Sequence, residues 1–213
     1  MIALLAACYT FDDAPLAEGP HCAPDMLAYV VEVLDGDTVR VYAYGNEEQL
    51  GGDDGGGDTG ELNSSGSDAP SGDDAYVLDV RMLGVDAPEI AHDSTEVADC
   101  YGDEAANFSS DLLLDQWVIL SFDRTCTDAY GRALAYVILG DVYDDVDECE
   151  DTEDDDVCEP DSTDAAVLVN DILIRYGYAR VYEEFDDIRL AELLYSAQEA
   201  AQASNQGLWA ECE

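Results

Sequence analysis

The chain contains no lysine. Its only permanent cations are seven arginines, set against 51 acidic residues in 213, for a formal net charge of −44. A surface of that sign repels nucleic acids, nucleotides and anionic membranes unless cations intervene, which excludes an ordinary basic binding patch. Zinc is as poorly provided for. There is no CxxC pair, and the two histidines, His21 and His92, lie far apart without ligand-like spacing. No apolar run approaches the ~20 residues that a membrane-spanning helix needs. What the chain does have is a hydrophobic share of 47%. That is enough to pack one core at this length and too much for a chain disordered throughout.

The acidity is uneven. Residues 44–75 hold nine acids and 141–164 hold fourteen, with no arginine in either, leaving 28 acids to the seven arginines elsewhere. Both stretches, Gly/Ser/Asp-rich at about 45–75 and Asp/Glu-rich at about 141–164, read as solvated loop insertions that cannot pack a core. The run "DDVDECEDTEDDD" has neither the spacing nor the turn glycine of an EF-hand. Abundant Asp without Lys suits a saline medium, where dense salt screens self-repulsion. It equally suits an acidic exported protein from a habitat of modest salt.

The N-terminus, "MIALLAACYT", carries a short apolar run ending in Leu5-Ala6-Ala7-Cys8. It resembles the lipobox of bacterial lipoprotein signals, which implies a signal over 1–7 and acylation of Cys8. Residues 8–27 then read as a tether, punctuated by Pro15, Gly19, Pro20 and Pro24. Six cysteines remain, an even number that in an exported chain suggests up to three disulfides from fifteen connectivities. Cys149–Cys158 is the simplest pair, since it closes a short acidic loop.

Along the chain, "LAYVVEVLDGDTVRVYAY" (27–44) predicts two strands joined at Asp35-Gly36. "YVLDVRMLGVDAPE" returns to a strand pattern and stops at Pro88. In 101–117, Ala105, Phe108, Leu112 and Leu113 fall at helical spacing, with acids in the first turn to suit the helix dipole. "VILSFD" and "GRALAYVIL" predict a strand pair around the loop 123–131. A helix beginning near Ala165 is expected to end at Gly177, and a last helix buries Leu190, Leu193, Leu194 and Ala197. About five strands interleaved with three helices predict an α+β fold, a small closed β-barrel packed by helices.

Four stretches place polar residues at strand ends: Asp35-Gly36-Asp37-Thr38, Arg81 with Asp86-Ala87-Pro88-Glu89, Cys100-Tyr101-Gly102, and Asp128-Ala129-Tyr130-Gly131-Arg132. One chemistry accommodates them. Asp37 and Asp86 offer hard oxygen ligands to Ca²⁺. The two arginines can grip a phosphate through charge-assisted hydrogen bonds, and Glu89 can activate water as a general base. Together they suit metal-assisted phosphodiester hydrolysis.

The blocks "VLDGDTVRV", "VRMLGVDAPE", "CYGDEAANF", "DAYGRALAYV", "VNDILIRYGYARVY" and "GLW" occur in that order. In this the chain resembles the thermonuclease (staphylococcal nuclease-like) family from about Tyr29 to Trp209, so a nuclease-like domain is expected over 28–213. The resemblance implies a five-stranded OB-type β-barrel with three packed helices. It implies Ca²⁺ held by Asp37, Asp86 and the Ala87 carbonyl, with Asp35 nearby. Glu89 would be the base or water-positioning group, Arg81 and Arg132 would contact the scissile phosphate, and Tyr130 would lie beside it. The implied activity is a Ca²⁺-dependent endonuclease cutting DNA or RNA at the 5′ P–O bond to leave 3′-phosphate ends. The protein is expected to be an exported monomer, either secreted or a cell-envelope lipoprotein whose only membrane contact is its lipid anchor. Basic residues that help the family hold nucleic acid are absent: Ala129 stands where lysine is common, and Glu183-Glu184 follow Tyr182. The acidity favours the alternative of a non-catalytic OB-type surface module that binds cations or a protein partner.

Overall fold

The computed structural model describes residues 22–44, 75–91, 97–140, 166–182 and 188–212. Cys8, the 1–7 segment, the Cys149–Cys158 pair and both acidic insertions (apart from Ala75, which opens a strand) lie outside the described residues. Five strands close the barrel: β1 (Met26–Val33), β2 (Thr38–Tyr44), β3 (Ala75–Met82), β5 (Trp117–Thr127) and β6 (Ala133–Leu139). They run in the order β3-β2-β1-β5-β6, and β6 returns to pair in parallel with β3 through Val80–Ala133, Arg81–Leu134 and Met82–Ala135. The other barrel pairings are antiparallel. This is the α+β, OB-type barrel that the sequence predicts.

Alternation explains the interior. Ala28, Val30, Val39, Val41, Val80, Met82, Leu120, Phe122, Ala135 and Val137 are all buried in one core, as every second residue of a strand must be when one face is covered. Strand β6 departs from this, because its opposite face is covered as well. Leu134 and Tyr136 pack with Leu83 and Leu190 in a second cluster. Burial on both sides is why "ALAYVIL" is apolar throughout rather than alternating.

The helices are α1 (Gly102–Leu113), α2 (Val169–Arg175), α3 (Ala191–Ala203) and a single turn, α4 (Leu208–Glu211). Helix α2 starts at Val169, later than the expected start near Ala165. Val167 and Leu168 instead form a short strand, β7, that adds to the outer edge of β6 through Leu139 and Ile138. Inside α2, buried Asn170 accepts a hydrogen bond from Val137 N–H (2.8 Å) and donates to the Leu83 carbonyl (2.9 Å), tying the helix to β6 and to the turn that follows β3. Strands β4 (Val85–Asp86) and β8 (Arg180–Val181) form a separate two-residue ladder. Two disulfides, Cys22–Cys126 and Cys100–Cys212, staple the described chain. No helix among the described residues is long and apolar enough to cross a membrane.

Candidate active site

The site sits where β1, β3 and β4 end against α1, and α1 is its chassis. Its buried face carries Gly102, Ala105, Ser109 and Leu113. The first three are small, which lets two loops lie close to the helix. At one, Ser109 Oγ donates to the Gly36 carbonyl at 2.6 Å. A side chain at Gly36 would meet Ala87 Cβ at 2.6 Å and Ala105 Cβ at 3.0 Å, so only glycine lets the Asp35–Asp37 turn nest there. At the other, a Cβ on Gly102 would lie 2.3 Å from the Glu89 carbonyl oxygen.

Asp37 is buried, and both of its oxygens are engaged. Oδ2 accepts the Ala87 N–H at 2.7 Å, while Oδ1 accepts the Thr38 hydroxyl at 3.1 Å and is ion-paired with Arg81 Nη1. Arg81 also donates to the Val85 carbonyl at 2.9 Å, lies 3.4 Å from Asp86 Oδ1, and faces the Tyr182 ring at 5.9 Å. Burial lowers its pKa below the usual arginine value, opposed by the attraction of Asp35, Asp86 and Glu89. Burial likewise raises the Asp35 carboxyl above its ordinary range, against the pull of Thr38, Arg81 and Arg132. Asp35 Oδ1 accepts the Asp37 N–H at 3.0 Å, shaping the turn.

Arg132 enters from the loop between β5 and β6. Its Nε donates to Asp128 Oδ2 at 2.7 Å, and its backbone N–H and that of Tyr130 both reach Asp128 Oδ1 at 2.9 Å. Burial alone would raise the Asp128 carboxyl, but these hydrogen bonds outweigh it and hold it below the usual carboxylate range. Tyr130 is 86% exposed and stands at the loop tip, its ring 5.6 Å from the Arg132 guanidinium.

Arg81 therefore lies within electrostatic reach of Asp35, Asp86, Glu89 and Arg132, and Asp35 within reach of Arg132 as well, with Asp37 bonded to both Arg81 and the Ala87 N–H. Glu89 is exposed. Tyr182 and Asp99 carry no site signal in the sequence, and Asp128 stands in a candidate stretch without an assigned role. Tyr182 reaches Arg81 because β8 pairs with β4, and two-residue strands give no periodic signal. Asp128 earns its place by loop geometry. Asp99 N–H donates to the Glu89 carbonyl at 2.9 Å, a contact made across a loop.

The donor chemistry at Asp37, Asp86 and the Ala87 carbonyl is all hard oxygen, which fits Ca²⁺ rather than a soft or imidazole-seeking metal. Among the described residues no cluster of three or more acidic, histidine or cysteine side chains converges as a metal site. Two carboxylates and a carbonyl would leave most of an ion's coordination to water and phosphate.

A five-stranded barrel with helices, and with arginines and carboxylates gathered at one end, defines an OB-type protein of the staphylococcal nuclease class. The chain belongs to that family: the model described as "Staphylococcal nuclease homologue" matches residues 79–211. A thermonuclease of Staphylococcus intermedius is 50% identical over 62 residues, which is 29% of this chain and 36% of that protein. A thermonuclease of Staphylococcus hyicus is 27% identical over 180 residues, covering 84% of this chain and 73% of that protein. An uncharacterized protein of Methanocaldococcus jannaschii is 27% identical over 197 residues, covering 84% and 70%. The chain thus spans little more than a third of the first relative and most of the other two.

Proposed function

We propose that the protein is a Ca²⁺-dependent endonuclease that cuts DNA or RNA at the 5′ P–O bond and leaves 3′-phosphate ends. The observation that supports this reading is Arg81, bonded to Asp37 and beside Asp86, with Arg132 reaching both Arg81 and Asp35 from a different element and Glu89 within electrostatic range of Arg81. In this reading Asp37, Asp86 and the Ala87 carbonyl would hold the ion, and the ion supplies charge stabilisation at the phosphoryl oxygens. Glu89 removes a proton from the attacking water. Arg81 and Arg132 present N–H donors to the phosphate, where charge grows in the transition state. Tyr130 lies exposed beside Arg132 and contacts the substrate.

The same reading places the nuclease domain at 28–213, following a tether at 8–27 and a signal remnant at 1–7 with Cys8 lipidated. The protein would act as an exported monomer. Two disulfides support export, since such bonds persist in oxidising compartments. The net charge of −44 supports the second reading, an acidic module that binds cations or a protein partner without catalysis.

One experiment separates the two. The full chain is incubated with single-stranded DNA or RNA, with Ca²⁺ or a chelator, across a salt series. Cleavage that needs Ca²⁺ and rises over about the first molar of salt, as screening relieves repulsion from the polyanion, is expected. Glu89→Ala is expected to lower kcat about 10²–10⁴-fold, the scale of general base catalysis. Absence of Ca²⁺-dependent cleavage at every salt concentration would overturn the nuclease reading and leave the binding module.

A further inference from the structure

The segment from Glu89 to Asp99 forms no helix or strand among its described residues, yet it begins with the proposed base. Its neck is closed by two contacts between the same pair of residues. Asp99 N–H donates to the Glu89 carbonyl at 2.9 Å, and Glu89 N–H approaches Asp99 Oδ2 at 3.5 Å. Gly102 then packs directly against the Glu89 carbonyl, with no room for a Cβ. Between Asp99 and Gly102 stands Cys100, bonded to Cys212 just after the last helical turn. We infer that the Cys100–Cys212 disulfide is a latch that positions Glu89, by bolting the neck of its loop to the C-terminal end of the chain. The inference rests on the reading of Glu89 as the base.

The second disulfide supplies an internal control. Cys22–Cys126 spans a sequence separation of 104 and Cys100–Cys212 one of 112, so chain-entropy stabilisation is nearly equal for the two. They differ in place. Cys126 is buried in β5, while Cys100 is exposed beside the site. Access governs thiol–disulfide exchange. A small dithiol is expected to open Cys100–Cys212 first: one thiolate attacks a cysteine sulfur, and the second displaces the other. The bridge gains two electrons and two protons to become two thiols, and the dithiol becomes a cyclic disulfide.

The test compares Cys100→Ser/Cys212→Ser with Cys22→Ser/Cys126→Ser. Both are assayed on single-stranded DNA with Ca²⁺, well below their melting temperatures, with the fold checked by circular dichroism. The first variant is expected to lose kcat by about tenfold to a hundredfold, the cost of a reacting group displaced by an ångström or so, with KM nearly unchanged. Amide exchange at Asp99 should quicken. The second variant should keep both kcat and the Asp99 protection. Equal losses in the two variants, or wild-type kcat in the first, would overturn the latch. Should the first variant not fold, the wild-type chain is titrated with dithiothreitol, and the opened bridge is identified by alkylation and mass mapping. Turnover should fall as Cys100–Cys212 opens and return on reoxidation; unchanged turnover would sink the inference. An unmodified chain that never cleaves overturns the parent reading instead, while protection of the Asp99 amide remains measurable by itself.

Discussion

The two arginines of the site are held in opposite ways. Arg81 is an interior residue, with a side chain only 11% exposed, set between buried Asp37, the Val85 carbonyl and Tyr182. Arg132 is a rim residue, one-third exposed, and its ion-pair partner, Asp128, belongs to its own loop. Arg81 is thus part of what holds β3, β4 and the Asp35–Asp37 turn together as well as of the proposed chemistry. Arg132 can leave without disturbing the barrel. Burial gives Arg81 a structural role beside its proposed one, while exposure leaves Arg132 with the proposed role alone.

Substitution should pull these roles apart. Arg81→Ala has the largest expected combined effect on turnover and stability, because it removes the proposed phosphate contact and leaves the buried Asp37 carboxylate without its ion-pair partner. Turnover should fall about 10²–10³-fold, and urea unfolding should report a loss of about 3–5 kcal/mol. Arg132→Ala should match the loss of turnover while changing stability by no more than about 0.5 kcal/mol. If both variants melt like the wild type, the contrast between them fails.

Asp128→Asn should be milder, lowering kcat by about tenfold or less as Arg132 loses its orientation. It also carries a pH signature. The Asp128 pKa is depressed, so its contribution to stability is present above its ordinary value of 3.8 and is lost as pH falls through the lower folded value. The Tm difference between wild type and Asp128→Asn should therefore be constant at neutral pH and shrink in acid below about pH 4. A difference that grows in acid would contradict the depressed pKa.

Much of this was legible in advance. The Asp-Gly-Asp turn, the strand patterns around it and the order of the six blocks lead to the barrel. The same residues lead to Asp37, Arg81, Asp86 and Arg132 lying together. Other features escaped for physical reasons. Six cysteines admit too many pairings for spacing to choose, and the bonds found join residues more than a hundred positions apart. Helical spacing in α1 picks out Ala105, Phe108, Leu112 and Leu113, yet Phe108 and Leu112 are only partly buried while Gly102 and Ser109 are buried. Small residues mark close approach rather than bulk, and a search for hydrophobic periodicity passes over them. Strands β4, β7 and β8 have two residues each, shorter than any pattern that alternation can reveal.

The staple at Cys22 has a mechanical consequence. Cys22 is bonded to Cys126 of β5, and its N–H also donates to the Asp123 carbonyl at 2.7 Å. A tug on the chain upstream of Cys22 is therefore delivered across a covalent bond into β5. It does not peel β1 away from its neighbours one hydrogen bond at a time. Load enters the barrel by a strand that β1 and β6 grip from both sides, so the domain can be pulled by its leading end without being unzipped from that end.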